Sequence, residues 1–141
     1  MFGGAFCGRG VLAEADGASP RRFVVRSNGA PGPEGFRLDQ IVVFEDGERR
    51  ERRWTLRADG PAAYVGTLTE ASGPVRVRVE GATARLTYPL AEVPLGRMTQ
   101  HLTVQPGGSV TNTGTVRVAG VPVRRLTEAI VPLAEDRCEG F

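Results

Sequence analysis

With 141 residues the chain has the length of one ordinary domain, so residues 1–141 are read as a single unit that buries a core without staples. Its 40% hydrophobic and 24% charged content is ordinary for a globular protein, and no apolar run approaches the ~18 residues of a membrane-spanning helix. The formal charge is only +2 and all 18 basic residues are arginine, a compositional bias that lowers the weight of any single arginine.

Residues 1–17 lack the charged head and continuous apolar run of a signal peptide, so the chain reads as cytoplasmic. A periplasmic or membrane-anchored location stays open if a leader has been removed. The first strand-like runs are residues 6–12 and 22–26. Residues 36–44 follow, then a turn at Glu45–Glu48 whose Asp46-Gly47 pair is a strong hairpin signal, then an outgoing run to Arg57. Asp59-Gly60-Pro61 turns the chain into residues 62–69. In the next hairpin Val75, Val77 and Val79 alternate with Arg76, Arg78 and Glu80, and after Gly81 come Ala84, Leu86, Tyr88 and Leu90. Residues 98–105 and 109–118 flank Pro106-Gly107-Gly108. The last run, from Val121, reads as strand to residue 131, with strand and helix competing over 123–137.

About ten consecutive strands joined by short turns must pair antiparallel, since parallel pairing needs long crossovers. An up-and-down sheet of that size closes on itself to remove its edges. The expected fold is therefore all-β, an antiparallel up-and-down lipocalin-like barrel of 8–10 strands.

The string RRFVV, the stretch EDGERRERRWTL, then YVGT, the pair Gly73 and Pro74, GATARLTYPL, and Asn112 eight residues before Gly120 together resemble an uncharacterised bacterial family of unknown function. Its members have a lipocalin-like, calycin-type reading and are often predicted lipoproteins. The resemblance implies a strand register. It sets Phe36, Leu38, Gln40, Val42 and Phe44 on one face, and Arg50, Arg52, Trp54 and Leu56 together on the next strand. Continued alternation turns inward Tyr64, Gly66, Leu68 and Glu70, then Met98, Gln100, Leu102 and Val104, then Val110, Asn112, Gly114 and Val116. The family tends to carry carboxylates where Gln40 and Gln100 stand, and a tryptophan and a tyrosine at His101 and Thr103. Two charges have become amides, so any acid–base chemistry resting on them is lost.

Each inward face brings a polar residue with it: Gln40, Arg52, Glu70, Gln100 and Asn112. Buried polar groups cost about 1–3 kcal/mol each when unpaired, so these five need partners in one another, in water or in a ligand. An internal pair of Arg52 with Glu70 competes with ligand contact, in which Arg52 would hold an acidic group.

Other chemistries fit poorly. His101 is the one imidazole and points outward by register, which leaves a hydrolytic triad without its base. The glycines of FGGAFCGRG precede no helical pattern, against a dinucleotide loop. In ERRERRW, Arg49 and Arg53 lie on the face opposite Trp54, so nucleic acid is not an expected partner. Cys7 and Cys138 are expected as unpaired thiols in a reducing compartment, although a closed meander sets its first and last strands side by side. There is no Cys/His spacing for zinc, and no cofactor is indicated.

The leading expectation is a non-enzymatic barrel that binds a small hydrophobic or amphipathic ligand. Trp54, Tyr64, Leu86 and Tyr88 would form the apolar wall, with Gln40, Arg52, Glu70, Gln100 and Asn112 fixing orientation. The alternatives are an enzyme with Glu70 as acid or base, and a structural module with a packed core. A homodimer is left open.

Overall fold

The computed structural model describes residues 4–32, 35–133 and 138. Ten strands run in chain order: β1 (Gly4–Glu14), β2 (Arg21–Pro31), β3 (Gly35–Phe44), β4 (Arg49–Ala58), β5 (Ala63–Leu68), β6 (Val75–Glu80), β7 (Thr83–Pro89), β8 (Gly96–Val104), β9 (Val110–Val118) and β10 (Val121–Pro132). They form one closed barrel in which every strand pairs antiparallel with its sequence neighbours and β1 closes onto β10. The last apolar run is therefore strand through Pro132, and residues 134–137 lie outside the described residues. Among the described residues there is no helix.

The turns explain why the chain reverses where it does. At the β3–β4 hairpin Gly47 takes a φ of 90°, a conformation glycine adopts without a Cβ penalty. Its N–H donates to Phe44 O at 2.9 Å, while Asp46 Oδ1 accepts the N–H of Glu48 at 2.9 Å. Such short links allow only antiparallel pairing, and closure pairs the two strand edges that a sheet would otherwise expose.

Strand period 2 sends alternate residues inward, and two apolar clusters result. The larger is built around Trp54, Leu56, Leu68, Val75, Tyr88 and Val116; the smaller joins Phe23, Val25, Val42 and Phe44. The two have matching edge-to-face aromatic pairs. Trp54 meets Tyr88 at 5.6 Å between ring centroids, and Phe23 meets Phe44 at 6.0 Å.

The cysteines correct the expectation of free thiols. Cys7 and Cys138 form a disulfide across a sequence separation of 131 residues. The reason lies in β1, where Phe6, Gly8 and Gly10 are cross-strand partners of Ser27, Val25 and Phe23 inside the barrel, so Cys7 points to the outside. There it is buried all the same, and Cys138 Sγ rests 3.4 Å from Val25 O. Closing so long a loop restricts the unfolded chain, so the double variant Cys7→Ser, Cys138→Ser should lose about 2–5 kcal/mol of stability. Urea unfolding followed by far-ultraviolet dichroism checks this, and an unchanged midpoint would contradict it.

Candidate functional site

Because neighbouring strands run in opposite directions, the turns alternate between two mouths. One mouth is ringed by the β2–β3, β4–β5, β6–β7 and β8–β9 turns, the other by the remaining five. Beneath each lies a cavity. The larger, about 280 Å³, has apolar walls that include Phe36, Leu56, Tyr64, Leu86 and Leu102. The smaller, about 130 Å³, lies toward the charged mouth beside Arg50, Glu70, Glu92 and Arg124. Arg52, Gln100, Asn112 and Glu128 border both.

These four belong to a polar belt assembled one strand at a time. From β7, the Tyr88 hydroxyl donates to Gln100 Oε1 on β8 at 2.7 Å. Gln100 Nε2 donates to Asn112 Oδ1 on β9 at 3.1 Å, and Asn112 Nδ2 donates to Glu128 Oε1 on β10 at 2.9 Å. On the other side Trp54 Nε1 donates to Gln40 Oε1 at 2.7 Å, and Gln40 Nε2 donates to Ser27 Oγ at 3.1 Å. The Trp54–Tyr88 ring contact joins the two arms. Each of these bonds contributes about 0.5–1.5 kcal/mol net, whereas leaving its buried partner unmet costs more.

Charge enters the belt from β4. Arg52 Nε lies 3.3 Å from Glu70 Oε1, and neither atom has a hydrogen-bond partner, so the two answer each other by charge alone. Glu70 also lies 3.6 Å from Arg50 Nη1, and Arg50 in turn pairs with Glu48 and with Glu92, the latter at 3.7 Å. This network fills the charged mouth, where the Arg21 guanidinium also stacks 3.9 Å above the Phe44 ring.

Glu128 is the exception. Its one polar contact is Asn112, and it has no ion pair among the described residues. A side chain this long fits because its cross-strand partner on β1 is Gly10 and its carboxyl lies over the next inward position, Gly8, where a Cβ would collide with Glu128 Oε2. Burial pushes its carboxyl above the ordinary value, although the Asn112 hydrogen bond and the Arg52 charge both pull it down. Burial likewise raises the Tyr88 hydroxyl, which stays protonated and able to donate.

The sequence matches, over residues 1–127, the model of the family described as "Protein of unknown function (DUF3833)". The chain belongs to the DUF3833 family. No curated protein matches its sequence. Among solved structures, the S-type phycobiliprotein lyase CPES from Guillardia theta superposes with a TM-score of 0.72 at 7% identity, covering 95% of this chain and 89% of the lyase. The protein EF1p2_mFAP2b, solved bound to DFHBI, reaches 0.48 at 11% identity over 93% of each chain, too loose a match to argue from. The first likeness shows the fold, so this DUF3833 member is a lipocalin-like barrel.

The barrel places Gln40, Trp54, Tyr64 and Leu86 on the larger cavity and Glu70 and Tyr88 on the smaller, with Arg52, Gln100 and Asn112 on both. His101 is exposed on the outer face. Reading the sequence misses Ser27 and Glu128. The second had a usable signal, since Leu126, Glu128 and Ile130 repeat the apolar–polar–apolar alternation of Met98, Gln100 and Leu102. Competition from the helical reading hid it.

The Glu128 carboxyl makes DUF3833 stability depend on pH. Its folded value is raised above the ordinary 4.5, so its contribution is fully present below about pH 4.5 and is lost as pH rises through the folded value. Replacing Glu128 by Gln removes that loss. Denaturation midpoints of the wild type should fall relative to those of Glu128→Gln as pH rises above about 4.5, and a constant difference would contradict the assignment.

Proposed function

We propose that this DUF3833 barrel, one domain over residues 1–141, is a non-enzymatic binding protein for a small, mostly apolar molecule that carries a polar group. The observation that carries this reading is the larger cavity itself. Its volume of about 280 Å³ is at the small end of the ~300–1,000 Å³ of ligand pockets, and it combines apolar walls with a few converging polar groups. A packed structural core would leave no such space. The ligand's apolar part would lie among Phe36, Tyr64 and Leu102, with its polar group at the belt.

Acid–base catalysis by Glu70 is disfavoured by its surroundings. The carboxylate sits between two guanidiniums, 3.6 Å from Arg50 Nη1 and 3.3 Å from Arg52 Nε, and is engaged as their counter-ion. Among the described residues no cluster of His, Cys, Asp or Glu is placed to hold a metal ion. The disulfide supports an oxidising compartment over a cytoplasmic one.

Filling the cavity tests the proposal. Ala84 lines the cavity, and its cross-strand partners are Val79 and Leu102, so Ala84→Phe should occupy the space. With 1-octanol as probe, wild-type protein should show saturable heat by titration calorimetry and a change in Trp54 emission. Ala84→Phe should weaken binding by at least about ten-fold, on the order of 1.4 kcal/mol. No saturable signal in the wild type, or equal binding by a folded Ala84→Phe variant, would overturn the proposal.

A further inference from the structure

We infer that the polar group the cavity is built to receive is a protonated amine, with Glu128 as its counter-ion, so that the ligand is a small amphipathic ammonium compound. This rests on the reading of the cavity as a binding site and specifies the chemistry of what enters it.

The inference comes from matching charges across the interior. Arg50 and Arg52 have acidic partners in Glu48, Glu70 and Glu92, within 4.0 Å. Glu128 has no ion pair among the described residues, although the charge of Arg52 reaches it. From β1 it meets Gly8 and Gly10, from β9 Asn112, and from β8 and β7 the belt residues Gln100 and Tyr88. From β2 and β3 come Ser27 and Gln40, and from β4 the charge of Arg52, already held by Glu70. On its own strand Arg124 lies two steps of the alternation away, beyond Leu126, at the charged mouth. An ionised carboxylate in such a place costs free energy until an opposite charge joins it.

The chain has made room for this group. Glycine at position 8 lets the Glu128 carboxyl lie against β1, with Oε2 over Gly8 and Oε1 held by Asn112, while the side chain lines both cavities. The surroundings suit an ammonium donor. Gln100 Oε1 and Asn112 Oδ1 each accept one bond within the belt and retain a second lone pair. An acidic ligand has the harder task, because it would have to draw Arg52 away from Glu70 and would then lie beside Glu128. The sequence-level expectation that Arg52 receives an acidic group is therefore replaced.

Binding exchanges one cation for another. Burial raises the Glu128 carboxyl, so over the pH range in which it is protonated in the empty barrel, entry of R–NH₃⁺ sends that proton to solvent and an ammonium N–H donates to the carboxylate, one proton for each amine bound. Affinity therefore rises with pH until the empty-state value of Glu128 is passed, then levels off.

Three probes of equal chain length test this on the disulfide-intact protein: octylamine, 1-octanol and octanoate. Octylamine should bind at least about ten-fold tighter than octanol, and octanoate more weakly than octanol. Titrations in buffers of different ionisation enthalpy should show proton release with octylamine and none with octanol. Glu128→Gln should erase the at least about ten-fold preference for amine over octanol. Octanoate binding tightest, amine and alcohol binding equally, or an amine preference that survives Glu128→Gln would each overturn the inference while leaving the binding barrel intact. If no probe binds, both fall. Proton release is measured on the wild type, so the inference stays falsifiable even if Glu128→Gln does not fold.

Discussion

Everything inside this barrel follows from one constraint: closure removes the interior from bulk water, so a polar side chain pointing inward must find its partner there. The belt is how the chain meets that demand. Donors are handed from strand to strand, Tyr88 to Gln100 to Asn112 to Glu128 on one arm and Trp54 to Gln40 to Ser27 on the other. Because the belt crosses the barrel, it also divides the interior. Cavities open on both of its faces, and the residues bordering both belong to it or bridge it by charge.

Strand β1 shows how few residues this arrangement requires. Cys7 and Gly8 are adjacent, so period 2 sends one outward and the other inward. Outside, Cys7 anchors Cys138 over the wall of the barrel. Inside, Gly8 leaves the space that Glu128 fills. A Cβ on the inner face would displace that carboxyl from the belt, so the glycine governs the site although it has no side chain to contact a ligand.

The strands were legible because alternation such as Val75, Arg76, Val77, Arg78 leaves no doubt about period, and because Asp46-Gly47 marks its own turn. The polar residues of β3, β4, β8 and β9 were legible for the same reason, as interruptions of an otherwise apolar face. Partner choice was not. Nothing in the order of residues says that Gln40 bonds Trp54 and Ser27 rather than Gln100, since that depends on register across strands distant in sequence. The disulfide was hidden for a related reason: the sequence suggests compartment only indirectly, whereas the closeness of Cys7 to Cys138 arises from barrel closure. Glu128 was lost because Val-Arg-Arg-Leu-Thr-Glu-Ala-Ile satisfies a helical period about as well as a strand period, and only pairing with β1 and β9 decides between them.

Among the described residues the two mouths differ in charge. At one end Arg50 gathers Glu48, Glu70 and Glu92, and Arg21 reaches Asp46 and Glu48 across the β3–β4 turn, a network of several charges rather than an isolated surface pair. An apolar molecule entering there would have to part these ions. At the other end the described rim includes Pro61 and Ala62 above Phe36 and Tyr64, whose rings meet edge-to-face at 6.2 Å. Desolvating that rim costs little, and the walls behind it stay apolar until the belt is reached. Among the described residues the interior therefore runs from an apolar end to the polar groups of Gln100, Asn112 and Glu128, so the ligand proposed above would enter from that end with its polar group leading.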